Sequence, residues 1–178
     1  MFKTFLKILK NKNKIVPISS TGIKQAEVIA VGEKIQRKVK KLFKGSLAIR
    51  QVDAGSDNAC EQELVALSNV FYDVERFGIH FVASPRHADM LLVTGPVTRN
   101  MQEALKRAYD ATPDPKIVVA VGDDAINGGI YKNSYAVLNG VHEVIPVNYQ
   151  IPGDPPNPKK ILYGLLHILK EIDNRHSK

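Results

Sequence analysis

Five residues able to ligate a metal or hold a proton sit just after short apolar runs. Asp57 and Cys60 lie in Asp53-Ala-Gly-Ser-Asp-Asn-Ala-Cys60, Asp123 and Asp124 in Gly122-Asp-Asp-Ala-Ile-Asn-Gly-Gly129, and Asp154 in Pro152-Gly-Asp-Pro-Pro-Asn-Pro158. Gathered carboxylates suit a hard cation such as Mg²⁺, which prefers oxygen ligands, and phosphoryl-transfer sites use such groups. Aspartate also stands in turns for purely local hydrogen bonding. Cys60 is the only cysteine, so an internal disulfide is excluded. It has two readings, a nucleophile activated at a helix N-terminus or a buried structural thiol. No phosphate loop, dinucleotide fingerprint, HExxH or CxxC is present. His80, His87, His142, His167 and His176 lack ligand spacing, and Tyr131 and Tyr135 read as packing residues.

The elements that must position these residues follow from the apolar pattern. From Gly45 onward short apolar runs alternate with helical stretches, which is the pattern of a parallel α/β sheet. Strands are expected near Leu47–Val52, Ile79–Ala83, Met90–Thr94, Lys116–Val121 and Glu143–Asn148, and helices over Cys60–Val70, Arg99–Ala111 and Pro158–Ile172. Pro158 suits a first helical turn, where its missing N–H costs nothing. In an open parallel sheet, ligands bind beyond the carboxyl ends of the strands. The pattern therefore brings Asp57, Cys60, Asp123, Asp124 and Asp154 to one pocket. Gly95-Pro-Val-Thr98, after the third strand, borders it.

The net charge of +7 is unevenly spread: +11 over residues 1–50 and −4 over residues 51–178. A basic arm, residues 1–45, precedes an α/β domain, residues 46–178. Within the arm, Phe2, Phe5, Leu6 and Leu9 share one helical face and Lys3, Lys7 and Lys10 another, the pattern of a helix lying in a membrane interface. A polar linker with Pro17 leads to a second helix expected over Thr21–Phe43. Its apolar stripe is Val31, Ile35, Val39 and Leu42, and its basic surface Lys34, Arg37, Lys38, Lys40, Lys41 and Lys44. Such an arm suits an anionic membrane or an acidic partner subunit. No run reaches the ~18 apolar residues of a membrane-spanning helix, and the N-terminus does not read as a secretory signal. A cytoplasmic location is expected.

The runs Tyr72-Asp-Val-Glu-Arg-Phe-Gly-Ile79, Ser84-Pro-Arg-His-Ala-Asp89 and Leu92-Val-Thr-Gly-Pro-Val-Thr-Arg99 are highly specific. They resemble the 20 kDa-type small subunit of complex I and of membrane-bound nickel–iron hydrogenases of the formate-hydrogenlyase and hydrogenase-4 types. Thr112-Pro-Asp-Pro-Lys116, Gly128-Gly129, Val144-Ile-Pro-Val147 and Ile151-Pro-Gly153 extend the resemblance, which covers about Ser46 to Ile172. It implies a flavodoxin-like doubly wound α/β fold and oxidoreductase-type electron transport. It also implies one [4Fe–4S] cluster at an interface with a large subunit. Four thiolates hold that cluster in the family, two from a C-x-x-C loop, one from a Gly-x-Cys-type loop and one from Pro-Gly-Cys-Pro-Pro.

By this resemblance Cys60 is the one retained cluster cysteine. Asp57, Asp124 and Asp154 stand at the other three ligand positions. The expected protein is therefore a peripheral subunit of a complex I-like or hydrogenase-like membrane assembly that docks a large subunit without its own cluster. No catalytic residue is assigned and no nucleic acid is expected as a partner. Two alternatives stand beside it. One is an electron-transfer subunit with an unusual cluster on Cys60 and the aspartates; the other is an oxygen-ligand metal site with hydrolytic activity. Carboxylates gathered in a pocket repel one another and call for protonation, a cation or an arginine. Asp123, Arg86 and Arg99 complete the expected pocket, with the two arginines as counter-charges.

Overall fold

The computed structural model describes residues 25–176. The amphipathic segment Phe2–Lys10 and the linker containing Pro17 lie outside them. Five parallel strands form one sheet: β1 Leu47–Asp53, β2 Ile79–Phe81, β3 Met90–Thr94, β4 Ile117–Val121 and β5 Tyr149–Ile151. Their order is β2-β1-β3-β4-β5, the flavodoxin-like arrangement expected, with its reversal between β1 and β3. All five residues of β3 are buried, because both faces of a parallel sheet are covered.

Among the described residues, five α-helices accompany the sheet: α1 Gln25–Leu42, α2 Ala59–Ala66, α3 Gln102–Ala111, α4 Asp123–Asn127 and α5 Pro158–His176. The side-chain period of two sends Met90 and Leu92 to one face and Leu91 and Val93 to the other. On the first face they join Ile35 and Val39 of α1, Leu64 of α2 and Ile161 and Leu165 of α5. On the second they meet Leu105 of α3, Ala125 of α4, and Val141 and Ile145.

Two expectations need correction. The boundary placed at residue 45 does not divide the packing. Val28, Val31, Ile35 and Val39 of α1 belong to the main core, because a stripe at helical spacing lowers its free energy by burial against α5. Asp173 of α5 pairs with both Lys38 and Lys41 of α1, and these lysines hold its carboxyl below the usual range. The described part of the arm is thus a layer of the α/β domain. Second, Glu143–Asn148 is not a strand. Val141–Glu143 forms a 3₁₀ turn, and Val141 and Ile145, four apart, insert into the second core cluster. The ladder starts only at Tyr149. Asn148 anchors its start: its Oδ1 accepts the Val118 N–H at 2.7 Å, and its own N–H donates to the Val118 carbonyl at 2.9 Å.

Gly32 measures how tightly α1 is seated. A Cβ there would lie 2.2 Å from the buried Phe77 ring. Gly32→Ala should therefore destabilise the protein by about 1–3 kcal/mol, the cost of overpacking a filled core, despite alanine's better helix propensity. Thermal or urea denaturation checks this; an unchanged midpoint would mean that α1 does not seat against the Val74–Phe77 turn as described.

Candidate functional site

The loops after β1, β3, β4 and β5 emerge at the carboxyl end of the sheet. Asp53 starts the first. Its Oδ1 accepts the N–H groups of Gly55 and Ser56, both at 2.8 Å. Asp57 Oδ1 then accepts the Ala59 N–H at 2.9 Å, satisfying a donor at the start of α2. The loops after β1 and β3 touch: a Cβ on Gly55 would lie 2.4 Å from the Thr98 side chain. Val97 between them has φ 54°, a left-handed conformation that is strained for a β-branched residue.

Cys60 is buried in the first turn of α2. Its Sγ fills space that a side chain at Gly122 would need, since a Cβ there would lie only 2.4 Å away. The β4 and β5 loops are laced together at the same point. Gly122 N–H donates to the Ile151 carbonyl at 2.9 Å and Asp123 N–H to the Gly153 carbonyl at 2.8 Å. Gly153 N–H returns a bond to Asp123 Oδ1 at 2.9 Å. Asp123 thus serves the frame. Asp124 is buried on α4, so close to Gly129 that a Cβ there would meet its Oδ1 at 1.8 Å. The Ile130 backbone hydrogen-bonds this carboxyl, yet Oδ1 has no partner among the described residues. Tyr131 hydroxyl approaches Asp57 Oδ2 at 3.4 Å.

The electrostatics show that these groups converge. Burial, followed by the charges of Glu61, Asp124, Asp57 and Asp154, pushes the Cys60 thiol up to about 12. Burial and then Asp154 and Asp57 raise Asp124, against the lowering effect of the Ile130 bond. Asp57, Cys60, Asp124 and Asp154 therefore lie near enough at this end of the sheet to influence one another's charge. Sequence reasoning missed Glu61. It is buried, and neither carboxylate oxygen has a hydrogen-bond partner among the described residues. Its signal was present, since Glu61 precedes the buried Leu64 by three residues and shares its helical face.

The two arginines do not supply the expected counter-charge. Arg86 lies on the Pro85–His87 turn before β3, at the opposite end of the sheet, and lines a cleft with Asp114, Lys116 and Arg175. The short β2 ends beside Ile49, so the chain turns back there and carries Arg86 away from the pocket. Arg99 is at the correct end, but its Nε–H donates to the Tyr135 carbonyl at 2.7 Å. Neither arginine is among the causes of the Cys60 and Asp124 shifts.

Iron–sulfur clusters of this type require thiolates that match a soft centre. The convergent set here is one neutral thiol and three carboxyls, which does not fit four-thiolate ligation. Among the described residues, no group of three or more His, Cys, Asp or Glu is arranged to hold a metal ion.

Residues 58–168 match the family described as NADH ubiquinone oxidoreductase, 20 Kd subunit. The stretch includes Cys60, Asp124 and Asp154. A probable membrane-bound hydrogenase subunit, mbhJ, of Pyrococcus furiosus is 45% identical over 121 residues, covering 68% of this chain and 72% of that one. Formate hydrogenlyase subunit 7 of Escherichia coli is 43% identical over 135 residues, covering 76% of this chain but only 53% of the relative. A solved structure of the membrane-bound sulfane sulfur reductase, an archaeal respiratory membrane complex, contains a chain that is 32% identical. It aligns with a TM-score of 0.65 over 85% of this chain and 77% of that chain. With its parallel sheet, its strand-end loops and this match, the chain belongs to the 20 kDa subunit family of NADH:ubiquinone oxidoreductase.

Proposed function

We propose that the chain is a peripheral subunit of a complex I-like or nickel–iron hydrogenase-like membrane oxidoreductase assembly. It docks a large subunit through its strand-end surface and holds no [4Fe–4S] cluster of its own. The observation that carries this reading is the donor set, with Asp57, Asp124 and Asp154 around a Cys60 thiol raised to about 12. Three carboxyls would make the site hard and weak for iron–sulfur centres. The relatives named above are subunits of membrane-bound respiratory or hydrogen-metabolising complexes, which supports placement in such an assembly. A membrane surface or membrane subunit is the second partner in this reading, reached through the basic N-terminal arm. No helix of the described residues is long and apolar enough to cross a membrane.

Anaerobically purified protein should carry neither iron nor acid-labile sulfide, and should lack the broad thiolate-to-iron absorbance of a cluster. Near-stoichiometric iron and sulfide with a reducible electron paramagnetic resonance signal would instead establish the electron-transfer alternative. Copurification with a large subunit tests the docking half separately.

The thiol and the carboxyls give two further tests. With a thiol at about 12, Cys60 at pH 8 should hold on the order of a thousandfold less thiolate than an ordinary cysteine. Its alkylation by iodoacetamide in the native protein should be slower by at least that factor, and a rate like that of free cysteine would contradict the described burial.

Asp124 is an acid with a raised folded pKa. Its contribution is favourable below its unfolded pKa and is lost as pH climbs through the folded value. Removing the neighbouring charges in Asp57→Asn, Asp154→Asn should therefore stabilise the protein at pH 7 by about 1 kcal/mol, or about 3 °C in Tm for a chain of this size. The gain should shrink at about pH 4, where an unperturbed aspartate is partly protonated. The Asp57→Asn change keeps a side-chain oxygen to accept the Ala59 N–H. A variant that melts lower than wild type at pH 7 without added metal would show that the carboxylates make bonds the fold needs.

A further inference from the structure

Two groups of basic residues on and just after α1 have different surroundings. Lys38 and Lys41 turn toward α5 and pair with Asp173. Arg37 and Lys40, one stripe over, and Lys44, just beyond the end of α1, form no ion pair among the described residues. Even Glu33, one turn before Arg37, is not within ion-pair distance of it. These three side chains line one wall of a cavity of about 590 Å³. Arg76 and His80, with the single carboxylate Glu75, line the other.

The cavity is built rather than incidental. Its floor is backbone, where Gly45 and Gly78 meet; a Cβ on Gly78, at φ +85°, would lie 2.7 Å from the Gly45 carbonyl oxygen. Gly78 carbonyl also accepts the Leu47 N–H at 2.8 Å, tying the far wall to the start of β1. The two walls are held at a fixed separation by Gln36, whose Nε2–H donates to the Arg76 carbonyl at 3.2 Å. The Arg76 guanidinium lies 4.8 Å from the Phe77 ring centroid, and its Nε is 3.6 Å from Asp73 Oδ2. Stacking fixes its plane and leaves further N–H donors.

We infer that this cavity is a phosphate-group binding pocket, with Arg37, Lys40, Lys44 and Arg76 as its cationic contacts. Four permanent cations stand against Glu75 in the lining and Asp73 beside Arg76, an excess of two positive charges that a single carboxylate ligand would not neutralise. A phosphate offers several strong acceptor oxygens and suits both the planar arginine fork and point-charge lysines. The phosphate could be that of a lipid headgroup or of a soluble phosphate compound. The pocket lies at the starts of β1 and β2, the end of the sheet opposite the acidic strand-end site, so it is independent of the proposed role of that site.

The full-length protein is titrated with inorganic pyrophosphate by calorimetry. In a second arm it is sedimented with phosphatidylcholine vesicles with and without phosphatidylglycerol. Both arms are repeated for Arg37→Gln, Lys40→Gln, Lys44→Gln and for a charge-matched control, Lys106→Gln, Lys132→Gln, Lys160→Gln. All six positions are exposed, and circular dichroism melting confirms that each variant is folded. The pocket variant should lose about tenfold or more in affinity, the loss expected from removing even one charge-assisted hydrogen bond, while the control stays within about twofold of wild type. Loss confined to pyrophosphate identifies a soluble phosphate ligand, and loss confined to anionic vesicles identifies a lipid headgroup. Equal weakening in both variants would reduce the effect to net charge and overturn the pocket. Absence of binding in both arms would overturn it as well. Iron and sulfide content plays no part in either readout, so this test stands or falls apart from the cluster question.

Discussion

β3 is the centre of the sheet, and every one of its residues is buried. Its backbone groups have no access to water, so β1 and β4 must satisfy them on either side. That requirement fixes the register: Asp53 lies beside Thr94, Val93 beside Ala120 and Val121 beside Ile151. A slip of one residue would reverse which side chains face each helical layer, and both layers are apolar. The loops leaving Asp53, Thr94, Val121 and Ile151 therefore emerge together, and the pocket is a consequence of the ladder. Its residues come from three separate loops, after β1, β4 and β5.

Within the pocket, backbone shape and side-chain chemistry point in different directions. Gly122 leaves room for a sulfur atom, Gly129 makes way for the side chain at position 124, and Asp123 clamps Gly153. Asn58 and Val97 hold left-handed conformations that are unfavourable for residues with a Cβ. This frame brings four side chains to one end of the sheet. Three of them are acids; Asp124 is buried, where an ionised carboxylate without a partner is costly, while Asp57 and Asp154 are exposed. The shifts of Cys60 and Asp124 are both toward the neutral form. Burial is the first cause of both shifts, and the charges of Asp57 and Asp154 add to both. The same backbone frame thus accommodates Asp57, Asp124 and Asp154 beside Cys60.

Strands with continuous apolar runs were legible in the sequence because double-sided burial leaves little else to read. Met90–Thr94 needed no revision. The fifth strand was misplaced because Val144-Ile-Pro-Val147 is equally apolar, and periodicity alone cannot distinguish a residue in the sheet from one packed on it. Position 45 looked like a boundary because charge changes sign there. Charge lies on the exposed side of α1, whereas Val31, Ile35 and Val39 on the other side decide where the helix belongs. The placement of Asp57, Cys60, Asp124 and Asp154 beyond the strand ends was legible, since each follows a strand. Glu61 was not singled out, because an acid in a first helical turn ordinarily needs no explanation beyond the helix dipole. Arg86 was misassigned because three-residue β2 turns the chain back halfway along β1, a length that local pattern does not set.

The same layering separates charge across the molecule. Asp57, Asp124, Asp154 and Glu61 gather where strands end, while Arg37, Lys40, Lys44 and Arg76 gather where β1 and β2 begin. Asp173 accounts for this in part: by pairing with Lys38 and Lys41 it offsets part of the inward charge of α1, while Arg37 and Lys40 stay exposed. Opposite charges at opposite ends of a rigid body form a dipole, which orients the molecule in the field of a charged surface before contact. Such steering acts over about a Debye length, ~8 Å at physiological salt, so only the nearer end responds strongly. An anionic surface would meet the α1 end first and leave the acidic strand-end face directed away from it. A large subunit docking at the strand ends and an anionic group held at α1 therefore do not compete for the same face, and each can bind while the other remains engaged.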